Sequence, residues 1–318
     1  MLDRLLDKSL IGYTSLGYRL RSLGAVEADL RGRVAVVTGA TYGLGKATAT
    51  ELARLGATVR IVGRNRDKAA AVRTAIMDAH AHADVTTEIA DLSLMAEVRD
   101  LATRLEGPIH LLVNNAGVLL PTRTETTEGL ETTFATNLLG HFVLTNLLAP
   151  TLARSAPARV VNVSSGGMYT QGIAVRDLQM SRTRYDGAIA YARTKRGQVV
   201  LTQRWARALS GRGVTVHAMH PGWADTPGVE SSLPRFHAIT KPLLRTSEEG
   251  ADTIVWLCTA REGAETTGLF WHDRRPRPID RSTRTKTDQD TAEALWDALE
   301  ALSGGTGFPA SLDGPSAR

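Results

Sequence analysis

A tyrosine and a lysine, Tyr191 and Lys195, stand four residues apart in YARTK, inside a run of helical character. On a helix that spacing makes them neighbours. An ordinary tyrosine has a pKa of about 10, so exchanging a proton near neutrality needs a drop of about 3 units, roughly 4 kcal/mol of stabilisation of the tyrosinate. A solvated lysine does not supply that, whereas one shielded from water beside a second positive group can. The same pair is at home on any solvated helix, so by itself it leaves the question open. Ser164 and Ser165 in VNVSSGG follow a β-branched run, at the edge where open α/β sheets bind ligands, although serine pairs are also common in turns.

The stretch TGATYGLGKAT places Gly39, Gly43 and Gly45 where a β-branched run gives way to a helical one. Glycine lets phosphate oxygens reach backbone N–H groups at a helix N-terminus, whose dipole favours anions. That context predicts a dinucleotide turn, with Thr41, Tyr42 and Leu44 between the glycines, although the spacing departs from G-x-G-x-x-G. The next run ends in RIVGRNR: where an NAD site offers an acid to the ribose, this chain has Gly63, then Arg64 and Asn65. Arginine there grips a 2′-phosphate through charge-assisted hydrogen bonds, which favours NADP(H), with NAD not excluded. Asp91 and Leu92 are suited to the adenine, helix capping being the plain role of Asp91. In NNAG, Asn114 is expected to bond across to backbone groups, while Ala116 and Gly117, beside Asn115, keep the surface under the cofactor small.

Positioning such groups takes a sheet whose strands end together. From Arg33 onward the runs RVAVVT, ATVRIV, DVTTEI, IHLLVNN, ARVVNVS, GVTVHAM and GLFW alternate with helical patterns over 43–55, 66–81, 93–105, 125–154, 189–211 and 247–260. The alternation predicts an α/β fold: a Rossmann-type doubly wound parallel sheet of about seven strands with helices on both faces, because parallel strands need crossovers. Residues 1–30 form an expected N-terminal helical arm. In it Leu2, Leu5, Leu6, Leu10, Tyr13, Leu16, Leu20 and Leu23 fall near one helical face, weakened by Gly12 and Gly17. Residues 31–273 make the nucleotide-binding domain, and 274–318 an extension with a short helix at 288–302 and a disordered Gly/Pro/Ser tail. The arm is expected to lie on its own domain or a sister subunit, the alternative being peripheral membrane contact through residues 2–23.

Composition limits the partners. With 318 residues, 42% of them apolar, the chain can fill one large core. The net charge of +5 and pI near 9.5 come from Arg and Lys spread along the chain, so no nucleic-acid partner is expected. Cys258 is the single cysteine, which rules out an intrachain disulfide and makes a reducing cytoplasm the default location. No apolar run approaches the roughly 20 residues that cross a bilayer. His80, His82, His217, His220 and His272 lack paired ligand spacing, so no metal is expected.

Asn137 of NLLG, then Ser165, Tyr191 and Lys195, in that order downstream of TGxxxGxG and NNAG, resemble the short-chain dehydrogenase/reductase family, classical type, throughout residues 33–272. The resemblance implies Ser165 as the serine that hydrogen-bonds the substrate oxygen, Tyr191 as acid/base, Lys195 as its electrostatic partner and Asn137 as an organiser of water and helix. It also implies that Pro221, Gly222, Trp223 and Thr226 of HPGWADT meet the nicotinamide side. The interval from Ser165 to Tyr191 is about twice the usual classical spacing; this 166–190 insertion resembles the retinol dehydrogenase side of the family. SSGGM, HPGWADTPGV, RWA and DRRPRP look closest to the group of dehydrogenase/reductase SDR family member 12. The implied activity is NADP(H)-dependent hydride transfer between nicotinamide and a small-molecule carbonyl or alcohol, apolar or lipid-like, in a protein that can form homo-oligomers. Trp223, Met219 and Phe236 are candidate walls of an apolar pocket, core packing explaining Met219 equally well. A catalytically silent NADP(H) sensor is the alternative, and has no need of Tyr191. A sugar epimerase or dehydratase would want a larger C-terminal part than residues 274–318.

Overall fold

The computed structural model of the chain describes residues 2–7, 9–224 and 240–308. Eight strands form one sheet: β1 Val34–Thr38, β2 Thr58–Gly63, β3 Asp84–Ile89, β4 Leu111–Asn114, β5 Ala158–Val163, β6 Val214–Met219, β7 Phe270–His272 and β8 Arg275–Arg277. Their order is β3-β2-β1-β4-β5-β6-β7-β8, parallel throughout except for β8, which runs antiparallel to β7. The sequence expectation of about seven strands is thus corrected by one. RPR is a short run holding Pro276, which reads as a breaker and is tolerated because β8 is an edge strand.

The helices are α1 Leu2–Asp7, α2 Ser15–Leu20, α3 Gly43–Arg54, α4 Arg66–Ala79, α5 Met95–Arg104, α6 Thr132–Phe134, α7 Gly140–Arg154, α8 Gly187–Ala208, α9 Ser247–Thr259, α10 Arg261–Glu265 and α11 Gln289–Ser303. Alternate strand residues feed two cores. Along β1, Val36 faces a cluster with Phe142, Trp205 and Trp296, while Ala35 and Val37 face one with Leu52, Ile76 and Ile254. Chain order reverses between β1 and β4, the switch point at which open sheets of this kind bind ligands.

Two helical expectations change. The 125–154 helix starts only at Thr132, because Gly129 takes φ +75° and the Glu131 carboxylate caps the N–H groups of Thr133 and Phe134 at 2.9 and 2.6 Å. The N-terminal arm is α1, a 3-10 turn at Leu10–Tyr13 and α2 rather than one helix. A methyl on Gly12 would lie 2.1 Å from the Leu6 carbonyl oxygen, and one on Gly17 would lie 2.2 Å from that of Ile11; the glycines are where the chain folds back onto itself. Leu5, Leu10, Ile11, Leu16 and Leu20 stay exposed. At the other end α11 docks through Leu295, Trp296 and Leu299, and the tail expected beyond it lies, after Phe308, outside the described residues.

Candidate active site

The β1–α3 connection is built on tight approach. Gly39 and Gly43 take φ +64° and +54°. A methyl on Gly45 would stand 2.3 Å from the Gly39 carbonyl oxygen and 2.5 Å from Asn115 Nδ2, so strand, turn and helix close only around hydrogen. The N-cap residue of α3, Tyr42, makes no side-chain bond to its first amides, and such a helix start suits an anion. These features fit a dinucleotide pyrophosphate. Thr38 Oγ1 accepts from the N–H groups of Asn115 and Ala116 at 2.9 and 3.0 Å, and Asn115 Nδ2 donates to the carbonyls of Thr38 and Gly39 at 2.9 and 3.2 Å. The bond to backbone expected of Asn114 therefore belongs to Asn115. Asn114 is inside β4 and points to the other face, donating to Asn162 Oδ1 at 2.8 Å and Thr145 Oγ1 at 2.9 Å.

At the end of β2, Arg64 is largely exposed and lies 3.9 Å from Asp91 Oδ2. Asn65 caps α4 through Lys68 N–H at 2.9 Å. Asp91 does not cap α5: its Oδ1 accepts from Ser93 N–H at 2.9 Å in the turn before the helix, and Glu128 accepts from the first amides of α5, Met95 and Ala96, at 2.7 and 3.0 Å. Leu92 is buried.

At the C-terminal edge of β5 the two serines part. Ser164 is buried and donates to the Lys195 carbonyl at 2.9 Å, while Ser165 Oγ accepts from Gly167 N–H at 3.2 Å and its hydroxyl acts to lower the pKa of the Tyr191 phenol. Helix α8, capped by Asp186, carries Tyr191 and Lys195 to the same place. Lys195 Nζ donates to the Val163 carbonyl at 2.8 Å and stands 5.5 Å from the Tyr191 ring centroid. Asn137 sits in a π turn, Ala135–Leu139, between α6 and α7, a distortion frequent at functional sites. Its Oδ1 accepts from Val118 N–H at 2.8 Å, its Nδ2 donates to the Val118 carbonyl at 2.8 Å and to Thr194 Oγ1 at 3.2 Å, and its own carbonyl accepts from Gln198 at 2.8 Å. A methyl on Gly117 would lie 3.4 Å from Asn137 Oδ1 and 3.5 Å from Lys195 Nζ, so all three meet at one point. Serine, tyrosine, lysine, asparagine and the glycine turn share one edge of the sheet.

Burial pulls the Lys195 amine down to about 7, and among the described residues no carboxylate offsets it. Burial also raises the Tyr191 phenol, while its hydrogen bond with Ser165 pulls the other way. His141, which contacts Gln198 at 2.9 Å, falls to about 3 through burial and the positive Lys195.

After β6, Gly222 has φ +78° and Pro221 gives its carbonyl to Arg245 at 3.1 Å. Thr226 and Phe236 lie outside the described residues. Met219 is fully buried in the core beside Trp271 and is not a pocket wall. Tyr185 and Tyr169 are held elsewhere, by Glu131 at 3.1 Å and by the Pro278 carbonyl at 2.7 Å. Sequence reasoning missed Gln198, His141, Arg245 and Asp273. Nothing local marks them, since each acquires its role only from a residue far away in the chain. Among the described residues no three His, Cys, Asp or Glu side chains could hold a metal, and no helix is long and apolar enough to cross a membrane.

The short chain dehydrogenase family model matches residues 33–235. Dehydrogenase/reductase SDR family member 12 of Bos taurus is 42% identical over 93% of this chain and 95% of its own length. Retinol dehydrogenase 12 of Homo sapiens is 38% identical over 87% of this chain and 88% of its own. Among solved structures, a Beutenbergia cavernae protein described as an NAD(P)-dependent gluconate 5-dehydrogenase, with bound NADP at low occupancy, superposes with a TM-score of 0.63. It is 27% identical, and the match covers 77% of this chain and 96% of that one.

Proposed function

The chain belongs to the short chain dehydrogenase family and is an oxidoreductase of CH–OH and C=O groups that uses a nicotinamide cofactor; on that premise we propose that it uses NADP(H), with Tyr191 as the proton carrier. The observation that carries this reading is the convergence of Ser165, Tyr191 and Lys195 beside Gly117, on the sheet edge that also bears the Gly39–Gly45 turn.

When bound, the nicotinamide supplies or accepts the hydride. The Ser165 hydroxyl steadies the substrate oxygen and orients the Tyr191 phenol toward it. In carbonyl reduction Tyr191 gives its proton to that oxygen; in alcohol oxidation it takes one back. Lys195, as ammonium, favours the tyrosinate and holds a ribose hydroxyl, and Asn137 fixes the bend that lets α6 and α7 pass beneath Gly117. Arg64, with Asn65 next to it, faces the 2′-phosphate, and Asp91 the adenine. Pro221, Gly222 and Trp223 form the nicotinamide side.

The substrate class is an apolar, lipid-like carbonyl or alcohol, a reading supported by likeness to a relative named for retinol. The exposed Leu5, Leu10, Ile11, Leu16 and Leu20 suit a cytoplasmic protein that touches a membrane surface peripherally. Vesicle co-sedimentation of the full chain checks that contact, and a chain left in the supernatant at every lipid composition refutes it.

NADPH oxidation against a panel of aliphatic and isoprenoid aldehydes and ketones tests the whole reading. Wild type should turn over at least one of them, and Tyr191→Phe should bind NADPH and lose turnover by roughly 10²- to 10⁴-fold. Binding without turnover in both proteins points instead to a silent cofactor sensor.

A further inference from the structure

The N-terminal arm lies outside the residues matched by the family model, yet it reaches both loops of the proposed site. The Tyr13 ring stacks with His220, Trp223 and His272 at centroid distances of 5.2, 6.0 and 5.4 Å, all within 25° of parallel. On the side of the serine loop it meets Gly166, where a methyl would be 3.2 Å from Tyr13 Cε1. One ring thus touches the residue next to Ser165 and the segment that carries Pro221 and Gly222.

The backbone around Tyr13 is fastened equally firmly. Its carbonyl accepts from Trp223 N–H at 2.7 Å, a donor that has left the β6 ladder and needs a partner. Arg245 donates to the carbonyls of Gly12 at 2.8 Å, Thr14 at 3.2 Å and Pro221 at 3.1 Å, and holds Asp273 through both oxygens at 2.6 and 2.9 Å. Arg21 of the arm joins the same carboxylate at 2.7 Å. Arg245 and Asp273 are each 1% exposed, so this is a buried ion cluster, which adds more to geometric definition than to net stability.

We propose that Tyr13 is a positioning residue of the active site: it clamps the Ser165–Gly166 turn and the His220–Trp223 segment to one rigid ring and so fixes the serine relative to the nicotinamide side. The arm is therefore part of the catalytic architecture rather than an appendage. This inference rests on the function proposed above.

The test uses the full chain and the variants Tyr13→Leu and Tyr13→Phe. Hydrogen exchange of the protein alone, over residues 216–224, should speed up about tenfold in Tyr13→Leu while β1 and β4 keep wild-type rates, and Tyr13→Phe should match wild type throughout. NADPH affinity, measured by fluorescence, should weaken about tenfold in Tyr13→Leu and be restored in Tyr13→Phe. Gly166→Ala should lower kcat in the wild-type background and lower it less in Tyr13→Leu, since the added methyl then meets a yielding neighbour. Unchanged exchange and affinity in Tyr13→Leu would overturn the proposal, as would a uniform rise in exchange across the whole sheet, which marks a merely structural arm. The exchange result is independent of turnover, so failure of the oxidoreductase reading would show separately, as wild type inactive on every substrate.

Discussion

Lys195 Nζ stands 5.5 Å from the centroid of the Tyr191 ring with the Val163 carbonyl as its acceptor, and among the described residues no acid pairs with it. A buried ammonium without a counter-ion is costly, which is why this amine titrates near 7 in the protein alone. The cost also makes the charge effective: little solvent screens it from a phenol on the next turn of the same helix. In the proposed mechanism a proton kept on the amine stabilises the phenolate that Tyr191 becomes when it gives up its own.

Replacing the amine separates its two effects. The folded pKa of Lys195, about 7, lies below the usual 10.5, so between those values the unfolded chain binds more protons and stability rises with pH; below 7 this contribution is flat. Lys195→Met should therefore be at least as stable as wild type at pH 7, by up to about 3 kcal/mol, and should lose that rise, while kcat falls by about 10² or more. Urea unfolding at pH 7 and 9 reads the first effect. A variant less stable than wild type at pH 7, with the slope intact, contradicts the assignment.

Arg64 is exposed and only loosely held by Asp91 at 3.9 Å, so it is free to turn to a phosphate. Arg64→Asp should reduce the ratio of NADPH to NADH efficiency by about 10- to 100-fold, the worth of one or two charge-assisted hydrogen bonds plus the repulsion introduced. An unchanged ratio rules Arg64 out as the 2′-phosphate ligand.

Legibility followed the range of the forces. The glycine turn and the Tyr191–Lys195 pair could be read from sequence because positive φ, close backbone approach and i,i+4 spacing are local demands. That the first seven strands run parallel could be read because each crossover is written as a β-branched run followed by a helical one, whereas their order in the sheet could not. Asn114 and Asn115 exchanged roles because adjacent residues at a strand end face opposite sides, and NN does not say where the strand stops. Tyr13 looked like one more apolar residue of an arm; its stack on His220 and His272 joins three segments far apart in the chain, and no local pattern encodes that.

The C-terminal helix α11 closes one core face through Trp296. That indole lies 4.9 Å from Phe142, edge to face, and 6.3 Å from Trp205, with the Arg204 guanidinium 5.0 Å over it. Trp296→Ala should cost about 3 kcal/mol in urea unfolding and leave NADPH affinity unchanged. A loss under about 1 kcal/mol would mean that α11 is not integral to the core.

Acid should unfold this protein early, and four histidines are the reason. His141, His217, His220 and His272 are each 1% exposed or less. Burial holds His141 at about 3, His217 at about 4 and the other two well below the ordinary 6.5. His220 and His272 stack 3.8 Å apart, so charging one opposes charging the other, and Arg245 opposes both; Asp273, 3.2 Å from His272, acts in the opposite sense but is already shared by two arginines. Because the folded values are depressed, the unfolded chain takes up protons first, and stability falls as pH drops below 6.5. The slope approaches about 1.4 kcal/mol per histidine per pH unit once the pH is well below 6.5, so the four together lose about 6 kcal/mol between pH 6.5 and 5, comparable with the whole stability of an ordinary domain. Asp3, held near 2 by Arg277 and Arg21, loses its contribution only below 3.8 and cannot account for changes in this window. The urea midpoint should therefore drop steeply between pH 6.5 and 5, and His141→Gln should remove about a quarter of that slope, while a midpoint that stays level from pH 7 to 5 would show that the imidazoles accept protons within the fold.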